Sequence, residues 1–264
     1  MELQRHLDDI RARGLGLAAI SYDSPATLKA FAAKHGITFP LLSDRGSATI
    51  RRWGILNAEA DGPAAGIPHP GTFVIDTRGR IVSRVFEDGY QVRQTAPALL
   101  AALVPGGVRP ARAARTVEGR QLSVTLSQSD LSAAPGTKLS LYADVVPGPG
   151  MHVYAPEQTG GYIRIALALD DEPGVSLADP VFPKASDYYF APLDETFKVF
   201  DAPFRIRQDV TVALTPELRT RAAARETLTL RGTLRYQACD DKVCYRPDQV
   251  PVTWTIALQP LVPR

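Results

Sequence analysis

Two cysteines, Cys239 and Cys244, are the residues of this chain whose type and spacing are best suited to chemistry. They are the only cysteines among 264 residues, and four residues separate them. Two cysteines do not complete a structural zinc site, and every histidine lies far away in sequence. A mutual disulfide is therefore the simplest interpretation, and we expect no metal and no cofactor. The histidines are His6, His35, His69 and His152.

The small ring that this disulfide would close is better suited to exchange than to stabilisation. Closing so short a loop removes roughly 2 kcal/mol of chain entropy, against nearly 5 for a loop of about 100 residues. The flanking charges also matter. The negative charges of Asp240 and Asp241 exceed the single positive charge of Lys242, so this segment disfavours a thiolate. The pattern favours an intermediate electron carrier. A purely structural disulfide remains the alternative.

The orientation of Cys239 follows from the strand that precedes it. Apolar residues occupy even positions from Leu228 to Tyr236, and threonine, arginine and glutamine occupy the odd ones. Strict alternation places Cys239 on the polar, outward face, unless a bulge near Ala238 reverses it. We therefore favour Cys239 as the exchanging thiol, although the sequence does not rank it securely above Cys244.

The elements that must position the cysteines are β-strands. From residue 120 to 264, apolar and polar residues alternate along at least five segments separated by Gly/Pro-rich turns, which predicts an antiparallel, all-β sandwich of immunoglobulin-like type. Residues 106–119, rich in Gly, Pro, Ala and Arg, predict a linker. The alternating segments are 122–126, 139–145, 163–169, 228–236 and 250–258.

Residues 1–105 alternate helical and strand patterns instead. Leu3, Leu7 and Ile10 share one helix face, and Ser24 with Pro25 begins a second helix that ends at Gly36. Residues 72–76 and 80–85 predict a β-hairpin, and residues 96–104 a last helix. The predicted order is α-β-α-β-α-β-β-α, an α/β layer domain.

Composition limits the classes of function. A formal net charge of +2 without a Lys/Arg block argues against nucleic acid as a partner. No apolar run reaches the roughly 18–20 residues that a membrane helix needs. The first residues are charged and amphipathic, so they do not form a signal peptide. The lack of a signal-peptide pattern predicts a cytoplasmic location, whereas a stable disulfide favours an oxidising compartment.

Three stretches of the first half, residues 20–25, 31–44 and 70–76, resemble the peroxiredoxin/redoxin branch of the thioredoxin fold. The resemblance implies a cis-proline at Pro70. That family's cysteine lies at the end of a strand before the first helix, and this sequence begins inside that helix. The family's activity is therefore not carried over. The chain is either a pseudo-enzyme or has a start placed too far downstream, and the open sheet edge favours the second.

The stretch from Tyr236 to Pro247, followed by the strand 250–254, resembles the N-terminal domain family of the periplasmic thiol:disulfide interchange protein DsbD. The resemblance implies a redox-active cysteine pair, a periplasmic location, and thioredoxin-like or DsbD-type redox proteins as partners. It also implies an aromatic cap over the cysteines and tyrosines beside them. The cap residues are Asp187, Tyr188, Tyr189 and Phe190, and the neighbouring residues are His152, Tyr154, Tyr236 and Tyr245.

Together these patterns predict a thiol–disulfide interchange protein, an oxidoreductase acting through Cys239 and Cys244. One alternative is a non-catalytic immunoglobulin-like binding module with a structural disulfide. The other is a peroxiredoxin-like antioxidant protein, if upstream sequence supplies the missing cysteine. The sequence does not give the direction of electron flow or the oligomeric state.

Overall fold

The protein consists of two compact units, Met1–Gly107 and Val108–Arg264. The computed structural model describes residues 2–62, 65–86, 93–103, 114–191 and 194–261. The first unit is thioredoxin-like and the second is an immunoglobulin-like sandwich, as the sequence predicts.

The described residues of the N-terminal unit form helices and short strands in nearly the predicted order. The first predicted helix is divided at His6, and the first strand has three residues. The helices are α1 (Glu2–Arg5), α2 (Leu7–Ala12), α3 (Pro25–His35), α4 (Ala48–Arg52) and α5 (Ala96–Leu103). The strands are β1 (Ala19–Ser21), β2 (Leu41–Ser43), β3 (Gly71–Ile75), β4 (Ile81–Phe86) and β5 (Arg93–Gln94).

Local chemistry sets the ends of the longest helix. The Ser24 hydroxyl accepts a hydrogen bond from the Thr27 amide, and Pro25 occupies the first helical turn of α3. Gly36 ends the helix at φ 61°, a left-handed conformation that glycine adopts without steric cost. Strands β1 and β2 pair in parallel, and β3 and β4 form the predicted antiparallel hairpin.

The peptide bond before Pro70 differs from the prediction. Among the residues that the structure describes there is no cis peptide bond, so Pro70 follows a trans bond. The trans form of an X–Pro bond is favoured by about 0.5–1 kcal/mol unless the surroundings select the cis form. Pro70 is thus an ordinary proline at the start of β3.

The described part of the C-terminal unit is built from strands and a short helix, α6 (Pro216–Ala223). The described strands of this unit form three sheets. The hydrogen-bonded neighbours follow the orders β12-β15-β9-β7-β6, β11-β16-β18-β8 and β13-β14-β10-β17. The strands are β6 (Arg115–Glu118), β7 (Leu122–Gln128), β8 (Ser132–Ala133), β9 (Thr137–Pro147), β10 (His152–Tyr154), β11 (Ala166–Leu169), β12 (Val175–Leu177), β13 (Ser186–Phe190), β14 (Glu195–Phe200), β15 (Phe204–Val212), β16 (Thr227–Tyr236), β17 (Ala238–Cys239) and β18 (Asp248–Leu258).

The predicted linker is too long at its C-terminal end. Strand β6, within the range 106–119, pairs antiparallel with β7 and so belongs to the sandwich. Residues 104–113 lie outside the described part of the chain. A strand here satisfies backbone groups along the edge of β7 that would otherwise be unpaired.

The sandwich core lies between the first two sheets. Strands β16 and β18 pair over ten residues, from Thr227 opposite Ala257 to Tyr236 opposite Asp248. Their alternating apolar side chains are buried, and the Trp254 indole donates a hydrogen bond to the Ser127 carbonyl at 2.8 Å. Burial of this alternating face explains why the sequence pattern identifies these strands.

The third sheet places the cysteines next to an aromatic hairpin. Its strand β10 lies between β14 and β17, with His152 opposite Cys239 and Tyr154 opposite Val199. Strands β13 and β14 form the hairpin beyond. Side chains from β10, β13, β14 and β17 therefore meet on one face of this sheet.

Candidate redox site

Cys239 and Cys244 form a disulfide with an S–S distance of 2.05 Å and a Cα–Cα distance of 4.0 Å. Backbone pairing supports the ring, because the Tyr245 amide donates to the Ala238 carbonyl at 2.9 Å. The two cysteines differ in environment: Cys239 is 2% exposed, whereas Cys244 is an exposed residue. Cys244 is therefore the more solvent-accessible residue of the pair.

The burial of Cys239 corrects the expectation that it faces solvent. Strand β16 ends at Tyr236, and Ala238 in β17 still packs into the sandwich core. Cys239 lies in a separate cluster, away from the core that Ala238 joins. The second cluster covers the face of the strand that alternation predicts to be polar. The predicted solvent exposure of Cys239 is therefore wrong.

This second cluster, called here the aromatic cluster, covers the buried sulfur. Tyr154, Phe197, Val199 and Cys239 are its buried members, and three partly buried rings pack against them. The Tyr154 ring lies 4.8 Å from that of Tyr162 and 5.6 Å from that of Phe197. The three partly buried rings are Tyr162, Tyr188 and Phe190.

The hairpin β13–β14 presents alternate residues to the aromatic cluster. Tyr188 and Phe190, two of the predicted cap residues, pack against it. Tyr189 is 59% exposed and donates its hydroxyl hydrogen bond to Asp194, and Asp187 forms an ion pair with Lys198. Because successive strand residues point to opposite faces, Asp187 and Tyr189 do not cover the cysteines.

The Tyr154 hydroxyl is the polar group in contact with both sulfurs. Its oxygen lies 3.5 Å from the Cys244 Sγ and 3.6 Å from the Cys239 Sγ. Disulfide sulfurs carry no hydrogen, so the tyrosine is the donor. Burial is the main reason that the pKa of Tyr154 is raised, with smaller contributions from Tyr162 and Glu195. The hydroxyl therefore stays protonated at neutral pH.

His152 lies on the same strand and is buried. Its ring packs against that of Tyr188, with centroids 4.5 Å apart. Burial lowers the pKa of His152, and the charges of Asp201 and Asp240 oppose this effect. A neutral imidazole, tilted against the Tyr188 ring, forms part of the pocket wall.

A pocket of about 130 Å³ lies beside the disulfide. Aromatic rings form one wall, and Asp240, Lys242 and Val243 from the cysteine loop form the other. Sequence reasoning missed Tyr162 and Phe197 in this wall. Phe197 lies in strand β14 and faces inward by alternation, which is a usable signal. Tyr162 precedes strand β11, and no pattern identifies it.

Two further tyrosines expected near the cysteines occupy different places. Tyr236 is fully buried in the sandwich core and donates to the Asp248 carboxylate at 3.0 Å. Burial, with this hydrogen bond, raises the pKa of Tyr236 to about 12. Tyr245 remains at the site, because its hydroxyl donates to Asp240 at 2.9 Å. Tyr236 therefore supports the fold, and Tyr245 supports the cysteine loop.

Two features of the described residues bear on other classes of function. No cluster of three or more His, Cys, Asp or Glu side chains among them could hold a metal ion. None of the helices formed by these residues is long and apolar enough to cross a membrane.

The fold and the site define a two-domain protein of redox families, with a thioredoxin-like unit followed by a sandwich that bears a disulfide. The model of the AhpC/TSA family matches residues 1–84. The model described as thiol:disulfide interchange protein DsbD, N-terminal, matches residues 121–255, just over half of the chain. The chain belongs to this DsbD N-terminal family.

Relatives of the N-terminal unit are peroxide-reducing proteins. Alkyl hydroperoxide reductase E of Mycobacterium bovis is 38% identical over 82 residues, which is 30% of this chain and 50% of that protein. Chloroplastic peroxiredoxin Q of Populus jackii is 32% identical over 84 residues, or 32% of this chain and 37% of that protein. The chain spans about half the length, or less, of these relatives.

Among solved structures, the chain is similar to the N-terminal periplasmic domain of ScsB from Proteus mirabilis. The TM-score is 0.37 at 15% sequence identity, and the match covers 56% of this chain and 51% of that one.

Proposed function

We propose that this protein exchanges electrons with other proteins through the Cys239–Cys244 pair. The observation that carries the proposal is the asymmetry of the disulfide, with one cysteine an exposed residue and the other buried, and with a hydroxyl donor beside both sulfurs. A disulfide that serves only as a staple needs no such access from solvent. Membership of the DsbD N-terminal family supports the same chemistry.

Cys244 is the sulfur that a partner attacks, which revises the preference for Cys239 drawn from the sequence. A thiolate approaches a disulfide sulfur along the S–S axis, opposite the leaving sulfur. Attack on Cys244 comes from solvent and expels Cys239 into the aromatic cluster. The Tyr154 hydroxyl, 3.6 Å from Cys239, stabilises the charge that develops there.

The exchange conserves atoms and electrons in both directions. A partner thiolate bonds to the Cys244 Sγ, the Cys239–Cys244 bond breaks, and Cys239 leaves with the electron pair. The partner's second thiolate then attacks its own sulfur in the mixed disulfide and releases Cys244. This protein gains two electrons, and the partner's two thiols are oxidised to a disulfide. The same steps in reverse order oxidise this protein.

The partners that suit this site are thioredoxin-like or DsbD-type redox proteins, and the compartment is the periplasm. Such partners carry their own cysteine pair and supply the second thiolate that the exchange requires. The periplasm is oxidising, so the disulfide form persists there between encounters.

Trapping experiments test which sulfur exchanges. In Cys239→Ser the exposed Cys244 remains and the resolving thiol is absent, so a mixed disulfide with a thioredoxin-like partner should accumulate. Cys244→Ser, with only the buried thiol, should trap far less. The adduct is followed by non-reducing electrophoresis and mass. Equal or stronger trapping by Cys244→Ser would overturn the assignment, and no trapping by either variant would overturn the function.

A further inference from the structure

The loop between the two cysteines contains a carboxylate with three hydrogen-bond donors. The Asp240 Oδ1 accepts from the Lys242 amide at 2.8 Å and from the Val243 amide at 2.7 Å. Its Oδ2 accepts from the Tyr245 hydroxyl at 2.9 Å. One side chain thus ties together residues inside the ring and the residue immediately after it. We call these four residues the Asp240 clamp.

The same segment has backbone bonds that the clamp reinforces. The Asp240 amide donates to the Val243 carbonyl at 3.0 Å, and the Gln237 side chain donates to the Tyr245 carbonyl at 2.9 Å. These contacts fix the turn that brings Cys244 back to Cys239. A fixed turn raises the effective concentration of one thiol at the other, because less conformational freedom is lost on closure.

The carboxylate also brings a negative charge to the redox pocket, which Asp240 lines. Hydrogen bonds from Val243 and then Lys242 are the main reason that the pKa of Asp240 is lowered, so it is ionised at neutral pH. A carboxylate near a sulfur disfavours the thiolate form of that sulfur. The clamp thus acts on the closure of the ring and on the ionisation of its thiols.

We propose that Asp240 is a positioning residue that sets the equilibrium between the disulfide and dithiol forms of Cys239 and Cys244. This inference rests on the proposed function, because it concerns the same cysteine pair. Geometry and charge act in the same direction: the closed turn favours the disulfide, and the carboxylate disfavours the thiolates that result from its reduction. Loss of Asp240 should shift the pair towards the reduced form.

Three variants of the full-length chain separate the two effects. Asp240→Ala removes the clamp and the charge, Asp240→Asn removes the charge but keeps an acceptor for the two amides, and Asp241→Asn removes an exposed charge outside the clamp. Each protein is equilibrated in dithiothreitol redox buffers, alkylated, and its thiols counted by mass. The pH profile of Cys244 alkylation is measured on the reduced proteins.

We expect Asp240→Ala to lower the equilibrium constant for disulfide formation by roughly tenfold, and Asp240→Asn by less, since net contributions of single hydrogen bonds are modest. Both should move the alkylation profile to lower pH, and Asp241→Asn should change both readouts least. Values within twofold of wild type for Asp240→Ala would overturn the inference. A disulfide too stable to react with glutathione would contradict the proposed function, but dithiothreitol buffers would still report its equilibrium. Failure of the proposed function can therefore be distinguished from failure of this inference.

Discussion

The two sulfurs of the site differ at the scale of single residues, and the neighbours of each determine what it can do. Cys244 is open to a reagent, while Cys239 is held among aromatic rings. Tyr154 is the residue that contacts both, through one hydroxyl. A hydrogen bond to sulfur strengthens as the sulfur becomes a thiolate, so it stabilises the transition state more than the disulfide.

Tyr154→Phe tests this role. The ring stays packed against Tyr162 and Phe197, so folding should be little changed, but the leaving Cys239 thiolate loses its donor. We expect the rate of disulfide reduction by dithiothreitol to fall by about tenfold, the scale of one hydrogen bond to a charged group. The matched control is Tyr162→Phe, whose hydroxyl bonds to Glu195 at 2.8 Å. Equal rates in wild type and Tyr154→Phe would contradict the role.

His152 makes the stability of the sandwich depend on pH. Burial holds its pKa in the folded protein below the ordinary value of 6.5, so the unfolded chain binds more protons between the two values. This contribution is present above about pH 6.5 and is lost as the pH falls towards the folded pKa.

Thermal unfolding from pH 7 to pH 5 measures the effect. Trp254 fluorescence in a Trp53→Phe background follows the C-terminal unit, because Trp254 is buried in its core. We expect the melting temperature to fall more in wild type than in His152→Gln. His35→Gln, in the other unit, should behave as wild type. An identical pH dependence in His152→Gln would refute this account.

At the scale of elements, we propose that the hairpin β13–β14 controls access to the buried thiol. Phe190 and Tyr188 face the aromatic cluster, whereas Tyr189 on the same strand faces solvent. The cap that we propose therefore consists of alternate residues of β13 rather than the whole run 187–190.

Alkylation of the reduced protein should show a fast phase for Cys244 and a slow phase for Cys239. We expect Phe190→Ala to accelerate the slow phase, because truncating this ring opens the pocket above Cys239. Tyr189→Ala is the matched control and should leave both phases unchanged. Mass spectrometry assigns each phase to its cysteine. An unchanged slow phase in a folded Phe190→Ala protein would remove the hairpin from the mechanism.

Several elements could be predicted from the sequence because their pattern reports their environment. The alternation in β16 and β18 reflects a core on one face, and Ser24, Pro25 and Gly36 mark both ends of α3. The environment of Cys239 could not be predicted in this way. Alternation distinguishes the two faces of a strand, but only tertiary contacts show whether the second face meets solvent or another part of the chain.

The contribution of Tyr162 could not be predicted from the sequence, for the same reason. It lies outside the strands, and its place beside Tyr154 depends on how the chain from β10 to β11 folds back. Tyr189, by contrast, could have been separated from Phe190 by applying alternation to β13. The order of strands within each sheet also depends on long-range pairing that the sequence pattern does not encode.

At the scale of the whole molecule, the chemistry is concentrated in one of the two units. Both thiols of this sequence lie in the C-terminal unit, although the N-terminal unit is similar to peroxide-reducing proteins. The electron exchange that we propose for this chain therefore proceeds through the sandwich. The N-terminal unit contributes no thiol of its own.

The reduction potential of the Cys239–Cys244 pair in the full-length protein tests the central claim most directly. The protein is equilibrated in glutathione buffers and then in dithiothreitol buffers, and the thiols are counted by mass after alkylation. We predict a reversible transition between dithiol and disulfide, with a potential above about −300 mV and within reach of periplasmic carriers. Two results together would show that the bond is only structural. The disulfide would persist until the buffer potential falls below about −300 mV, and its removal would cost several kcal/mol of stability.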